Sequence, residues 1–153
     1  MSDEYRLISI PDTRFYHCNI KTLNLIPNVM AAQQASEAGC NETVFVRDGY
    51  VTECSHSNIS MVKDGVFITH PLDNLILPGT ERKHIIRWCG ELGILVKERA
   101  FTLEELYTAD EILVTSTSHP SMRAMELNQK AVGMKNPELI QKLRDKYLNE
   151  IGK

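Results

Sequence analysis

The 153-residue sequence predicts a mixed α+β domain, strand-rich through its middle and flanked by helices. Three observations lead there. Two Asp-Gly turns, Asp48-Gly49 and Asp64-Gly65, each separate apolar β-type runs, a strong short-range hairpin signal. Stretches with apolar residues at helical spacing begin near Pro27, Thr80 and Pro137. The length suits a single domain, residues 1–153, that can bury a core without disulfides or metal.

In chain order, residues 5–10 alternate as a strand, and Pro11-Asp12-Thr13 makes a turn into a second extended run over 14–20. From Leu25 the period becomes helical, with Pro27 suited to a first turn and Gly39 to a C-cap. Residues 43–46 with 50–52, then 59–62 with 66–69, form two consecutive hairpins and suggest a meander. Residues 70–74 read as loop. A helix follows Thr80, with Ile85, Ile86, Cys89 and Leu92 on one face, and ends at Gly93. Residues 94–96 form a strand, and Thr102-Leu103-Glu104-Glu105 is a capping box that opens a short helix. Residues 111–117 read as a buried strand ending in hydroxyl side chains. Residues 122–127 and 130–132 pair about Asn128-Gln129, and a last amphipathic helix carries Leu139, Ile140, Leu143, Tyr147 and Leu148 on one face.

Composition excludes several function classes. A net charge of −3 gives no electrostatic reason to expect nucleic acid or an anionic membrane as partner. No apolar run approaches the roughly 18 residues of a membrane span. The polar, acidic start, Met1-Ser2-Asp3-Glu4, is unlike a signal peptide, so a cytoplasmic location with four free thiols is expected. No Cys or His pair has zinc spacing, His119 included, and no metal is expected.

Four stretches carry candidate chemistry. Lys21 stands among Ile20, Leu23 and Leu25, where burial would favour a free, nucleophilic amine; the alternative is a lysine snorkelling from a strand end. Glu53 ends an apolar strand ahead of Ser55, His56, Ser57 and Asn58, and a buried carboxylate there needs a partner such as a protonated ring nitrogen. A solvated strand-end carboxylate is the alternative. Leu77-Pro78-Gly79-Thr80-Glu81 delivers free N–H groups at a helix N-terminus, suited to a phosphate. Ser116 and Thr117 add hydroxyls at a strand end, and Arg14 could donate to a phosphate or lie on the surface. Cys54 and His56 lack a third group to orient the imidazole, which argues against a cysteine hydrolase.

Together these stretches resemble the class IV (fold-type IV) pyridoxal-phosphate aminotransferases, most closely the D-amino-acid branch. Asn19-Ile20-Lys21-Thr22-Leu23-Asn24 resembles the Schiff-base lysine motif, and Thr52-Glu53 with Ser55, Ser57 and Asn58 resembles the family's T-E-x-S-x-S-N segment. The runs at 74–79 and 113–117 resemble its phosphate-binding turn and strand end. The resemblance implies the strand-rich, pseudo-barrel-like C-terminal domain of that fold, with pyridoxal 5′-phosphate as cofactor. It implies that Lys21 holds the cofactor and shuttles the Cα proton, while Glu53 keeps the pyridine nitrogen protonated. It further implies a phosphate held by Arg14, the Thr80 and Glu81 N–H groups at Gly79, Ser116 and Thr117. Leu77 would lie against the ring, and Ser55 and His56 near its polar edge.

The implied activity is transamination of D-amino acids with a 2-oxo acid by a homo-oligomer. Elimination of the 4-amino-4-deoxychorismate lyase type uses the same lysine, and an inert binding or assembly module is the reading from another class. Family members carry an N-terminal domain ahead of the matched region, which closes the site and supplies groups for the substrate carboxylate. Its absence here would leave transamination by this chain weak or absent. The Thr80-Glu81 pair also replaces the apolar-hydroxyl pair usual after the turn glycine, setting a carboxylate beside the phosphate.

Overall fold

The computed structural model describes residues 4–118 and 122–150, so His119 and the first three residues lie outside the described residues. Its strands are β1 (Tyr5–Pro11), β2 (Glu42–Arg47), β3 (Tyr50–Cys54), β4 (Asn58–Lys63), β5 (Val66–Thr69), β6 (Val96–Glu98), β7 (Glu111–Thr115), β8 (Met122–Leu127) and β9 (Lys130–Ala131). The helices are α1 (Ile26–Glu37), α2 (Thr80–Glu91), α3 (Leu103–Thr108) and α4 (Pro137–Glu150).

All these strands join one sheet in the order β3-β2-β1-β8-β7-β4-β5-β6, with β9 beside β8. The two Asp-Gly hairpins form: Asp48, Gly49, Asp64 and Gly65 all have positive φ, as a tight turn between right-twisting strands requires. They are not neighbours in a meander, however. β3 lies at one end of the sheet order, whereas β4 lies between β5 and β7. The sheet curls so that its two ends approach. After β6 the chain returns to β3, where the Val51 N–H donates to Phe101 O at 2.9 Å and Tyr50 bridges Thr102.

The curl divides the core in two. Along β4 and β7, Ile59, Met61, Ile112 and Val114 join the cluster holding Leu7, Val44, Val51 and Phe101. Val62 and Leu113 turn the other way, to Ile85, Trp88 and Cys89 of α2 and Leu139, Ile140 and Leu143 of α4. Alternate side chains therefore reach two different cores, which is why these strands read as unbroken apolar runs. Leu148, expected on the buried face of α4, is exposed.

Two further expectations change. Residues 14–20 form a loop, not a strand, and the connection from β1 to β2 is a parallel crossover through α1. The turn at Asn128-Gln129 has no glycine, yet both residues take positive φ (49° and 63°) and β8 pairs with β9. Pro27 lies in the first turn of α1, and Thr102 with Glu105 forms the capping box of α3, both as expected.

Candidate active site

A cleft of about 640 Å³ opens where the loop before α1, the β3–β4 connection, the start of α2 and the end of β7 converge. Its lining brings together every site residue expected from the sequence: Arg14, Lys21, Glu53, Ser55, His56, Leu77, Gly79, Thr80, Glu81, Ser116 and Thr117.

Glu53 is the penultimate residue of β3 and is buried. Its carboxylate accepts from Arg14 Nη1, from Asn58 Nδ2 at 3.0 Å and from the Leu77 N–H at 3.0 Å. Asn58 Nδ2 also donates to Leu77 O at 2.9 Å, locking β4 to the turn before α2. Burial pushes the Glu53 carboxyl up to about 7, against the downward pull of Arg14 and the Leu77 N–H. A carboxyl poised there can share a proton with a basic ring nitrogen near neutral pH.

Arg14 is not the free phosphate donor expected from the sequence. Its Nε and Nη2 donate to Asp12 at 2.9 Å each, and Nη2 also reaches Thr52 Oγ1 at 3.2 Å and Leu75 O at 3.1 Å. Its guanidinium lies 4.4 Å from the Phe45 ring centroid. Burial opposes the charge, but Asp12 and Glu53 outweigh it and raise the Arg14 pKa. Arg47 joins the network, 3.0 Å from Asp12 and donating to Arg14 O at 2.6 Å. Arg14 therefore holds Glu53 from beneath.

Gly79 caps α2 in an extended conformation with no side-chain cap on the helix, so the first N–H groups of α2 stay available to an anion. Glycine is required by close approach: a Cβ there would stand 2.1 Å from Asn58 Oδ1. β7 ends at Thr115, two residues earlier than expected, so Ser116 and Thr117 follow in the loop. The buried Thr115 Oγ1, within the strand end expected at 113–117, has no hydrogen-bond partner among the described residues. Glu81, in the first turn of α2, is only 7% exposed, and its Oε2 also lacks a partner among the described residues. Burial raises its pKa, slightly offset by His84.

Of the two readings of Lys21, the solvated one agrees with the structure: it lies in an exposed loop, and Ile20, Leu23 and Leu25 beside it are themselves exposed. Cys54 behaves as expected of an inert thiol, fully buried, with burial raising its pKa well above the ordinary value. Among the described residues no group of three His, Cys, Asp or Glu could hold a metal ion, and no helix is long and apolar enough to cross a membrane.

The sequence also missed Glu42. It is buried at the start of β2 and accepts from Ser57 Oγ at 3.1 Å, the Thr43 N–H at 2.8 Å and Ser55 Oγ, with His56 Nδ1 2.9 Å away. The one available signal was an acidic residue opening an otherwise apolar run.

Comparison with known proteins places this geometry. The amino-transferase class IV family model matches residues 4–127. A D-alanine aminotransferase of Bacillus licheniformis is 37% identical over 151 residues, covering 95% of this chain and 53% of the relative. Another, from Listeria monocytogenes serotype 4b, is 42% identical over 147 residues, covering 95% and 50%. A solved branched-chain aminotransferase of the thermophilic archaeon Thermoproteus uzoniensis, with norvaline, superposes with a TM-score of 0.81 at 27% identity, covering 95% of this chain and 51% of that one. This chain thus spans about half the length of the curated relatives it matches. The family match runs over most of the sequence and the fold agrees with it, so the chain belongs to the class IV aminotransferases, a family whose cofactor is pyridoxal phosphate.

Proposed function

We propose that this chain binds pyridoxal phosphate through Lys21 and forms the cofactor-bearing part of an aminotransferase for D-amino acids and 2-oxo acids. The observation that carries the reading is Glu53: a buried carboxyl at about 7, fixed by three donors, lining the same cleft as Lys21. The donor set suits the cofactor. The uncapped start of α2, the Gly79 approach and the Thr115 hydroxyl, unpartnered among the described residues, support a cradle for its phosphate.

When bound, the cofactor supplies an electron sink for the pair left as the substrate Cα loses its proton. Lys21 Nζ would hold the cofactor and, as a free amine once the substrate is bound in its place, would take and return that proton. Glu53 holds a proton at the ring nitrogen, and Arg14 and Asn58 keep its carboxyl in register. Leu77 covers one ring face. The α2 N–H groups of Thr80 and Glu81, with Ser116 and Thr117, bind the phosphate; Glu81 weakens that binding without abolishing it.

The D-amino-acid assignment is supported by the names of the relatives 37% and 42% identical to the chain. The exposed loop of Lys21 leaves the amine in water, so transamination by this chain alone is weak or absent. The apolar residues around it favour a homo-oligomer in which further protein surface covers the cleft, and its free cysteines favour a cytoplasmic location. An absorbance titration with pyridoxal phosphate tests the reading. A visible band that Lys21→Ala abolishes is expected; no band in the intact chain would favour an inert assembly module.

A further inference from the structure

Glu81 is where this cleft departs from the pattern of its family, standing with Thr80 in place of the usual apolar-hydroxyl pair. Its backbone N–H belongs to the start of α2 that is offered to the cofactor phosphate, and the residue lines the same cleft. We propose that the Glu81 side chain takes part in phosphate binding as a neutral carboxylic acid, so that a tetrahedral oxyanion enters this cradle together with a proton. This deepens the transaminase reading and rests on it for the identity of the anion.

Three observations converge on the start of α2. Its first N–H groups carry no side-chain cap. Thr115 Oγ1, at the end of β7 on the same cleft, is a buried hydroxyl with no hydrogen-bond partner among the described residues. Glu81 is 7% exposed, and its Oε2 is buried with no partner among the described residues. A carboxylate in the first turn of a helix is ordinarily stabilised by the helix dipole. An oxyanion held by the same N–H groups draws on that same dipole, and two negative charges repel more strongly in a buried site than in water. Glu81 is too buried for water to screen them. A proton on its carboxyl removes the repulsion and supplies an O–H that can donate to the oxyanion.

Burial already raises the Glu81 pKa above the ordinary 4.5, with His84 of α2 pulling the other way. The other cations nearby in α2 are Lys83, which is exposed, and Arg82, which donates to His70 O at 2.7 Å and to Glu98 at 2.6 Å. Across the cleft the charged groups are Arg14 and Lys21 ahead of α1, Glu53 of β3 and His56 after it. The neighbouring Asn58 of β4 and Thr115 of β7 do not titrate. A bound oxyanion adds negative charge to this set and lifts the Glu81 value further. The bound state then holds the extra proton, so affinity is greatest at low pH and declines as pH rises from the free-state value to the bound-state one.

The test is a calorimetric titration of the cofactor-free chain with sulfate between about pH 5 and pH 8, in two buffers of different ionisation enthalpy. Sulfate is tetrahedral and stays a dianion over that range, so any proton taken up belongs to the protein. Affinity is expected to fall with rising pH, by about tenfold per pH unit where it falls most steeply, with protons taken up as sulfate binds. Glu53 and His56 line the same cleft and keep their own proton response in Glu81→Gln, so the part lost in that variant belongs to Glu81. Less proton uptake and tighter binding near pH 8 are expected there, and Glu81→Thr gives a second neutral side chain if Gln is not tolerated. Proton uptake equal in the variants and the parent chain would overturn the inference, as would pH-independent sulfate binding or none at all. The visible band with pyridoxal phosphate is read separately. Its absence, with the proton-linked sulfate site intact, fails the transaminase reading alone; its presence, with pH-independent sulfate binding, fails this inference alone.

Discussion

On one wall of the cleft Glu53 is 6% exposed, with Arg14, Asn58 and the Leu77 N–H fixed around it; on the other, Lys21 shares a loop with Leu23, which is 97% exposed, and leads into the exposed Ile26, Val29 and Met30 of α1. The first wall is a buried polar network anchored in β2, β3 and β4. The second is an apolar surface whose helix buries only Ala31 and Ala35. Electrostatic preorganisation is therefore built within this chain, where it contributes to folding. Shielding from water is not, and the apolar wall gains from whatever surface comes to cover it.

The sharpest way to break the first wall is Arg14→Ala. It strands Glu53 and part of the Asp12 charge in the interior, and about 3–5 kcal/mol of stability should be lost in urea unfolding. A loss under about 1 kcal/mol would mean the network contributes little. Gly79→Ala comes next. Its Cβ would press on Asn58, whose amide is tied to Glu53 and Leu77 O, so a cost of about 1–3 kcal/mol is expected, together with weaker cofactor binding.

Glu81→Thr should act in the opposite direction. Removing a buried carboxyl without a partner for Oε2 should raise stability at neutral pH by about 1 kcal/mol and tighten binding of inorganic phosphate. Weaker phosphate binding in this variant would show that Glu81 helps rather than hinders. The second wall should be nearly silent: Leu23→Ser with Val29→Ser should change stability by no more than about 0.5 kcal/mol while reducing self-association in sedimentation.

The first wall also responds to pH. The Glu53 carboxyl has a folded-state value of about 7 against an ordinary 4.5, so the folded state binds its proton more tightly than the unfolded chain does. Its contribution is complete below about 4.5 and is lost as pH rises through about 7. Thermal unfolding followed across that window should show the decline, and Glu53→Gln should flatten it.

The polar wall was the more legible in sequence. Glu53, Asn58, Leu77 and Gly79 act through local motifs at fixed spacing, so their order along the chain carried the information. What escaped depends on distant partners. Asp12 looked like a turn residue, yet Arg14 and Arg47 bury it. Arg14, open in sequence to a phosphate or a surface role, is engaged by Asp12 and Glu53 for the same reason. Ile20, Leu23 and Leu25 left Lys21 open to a buried or a solvated reading, and it is solvated, because apolar residues also mark surfaces awaiting a partner. At the level of fold, both Asp-Gly hairpins were readable from their turns. Their separation in the sheet was not, because the crossover through α1 and the pairing of β4 with β7 join residues far apart in sequence.

The central claim is that one cleft of this chain carries a working cofactor wall around Lys21. Borohydride reduction in the presence of pyridoxal phosphate, followed by peptide mapping, tests it most directly. The label is predicted on the peptide containing Lys21, at one equivalent per chain and in preference to the other lysines. Label spread across surface lysines, with no preference for Lys21, would contradict the account.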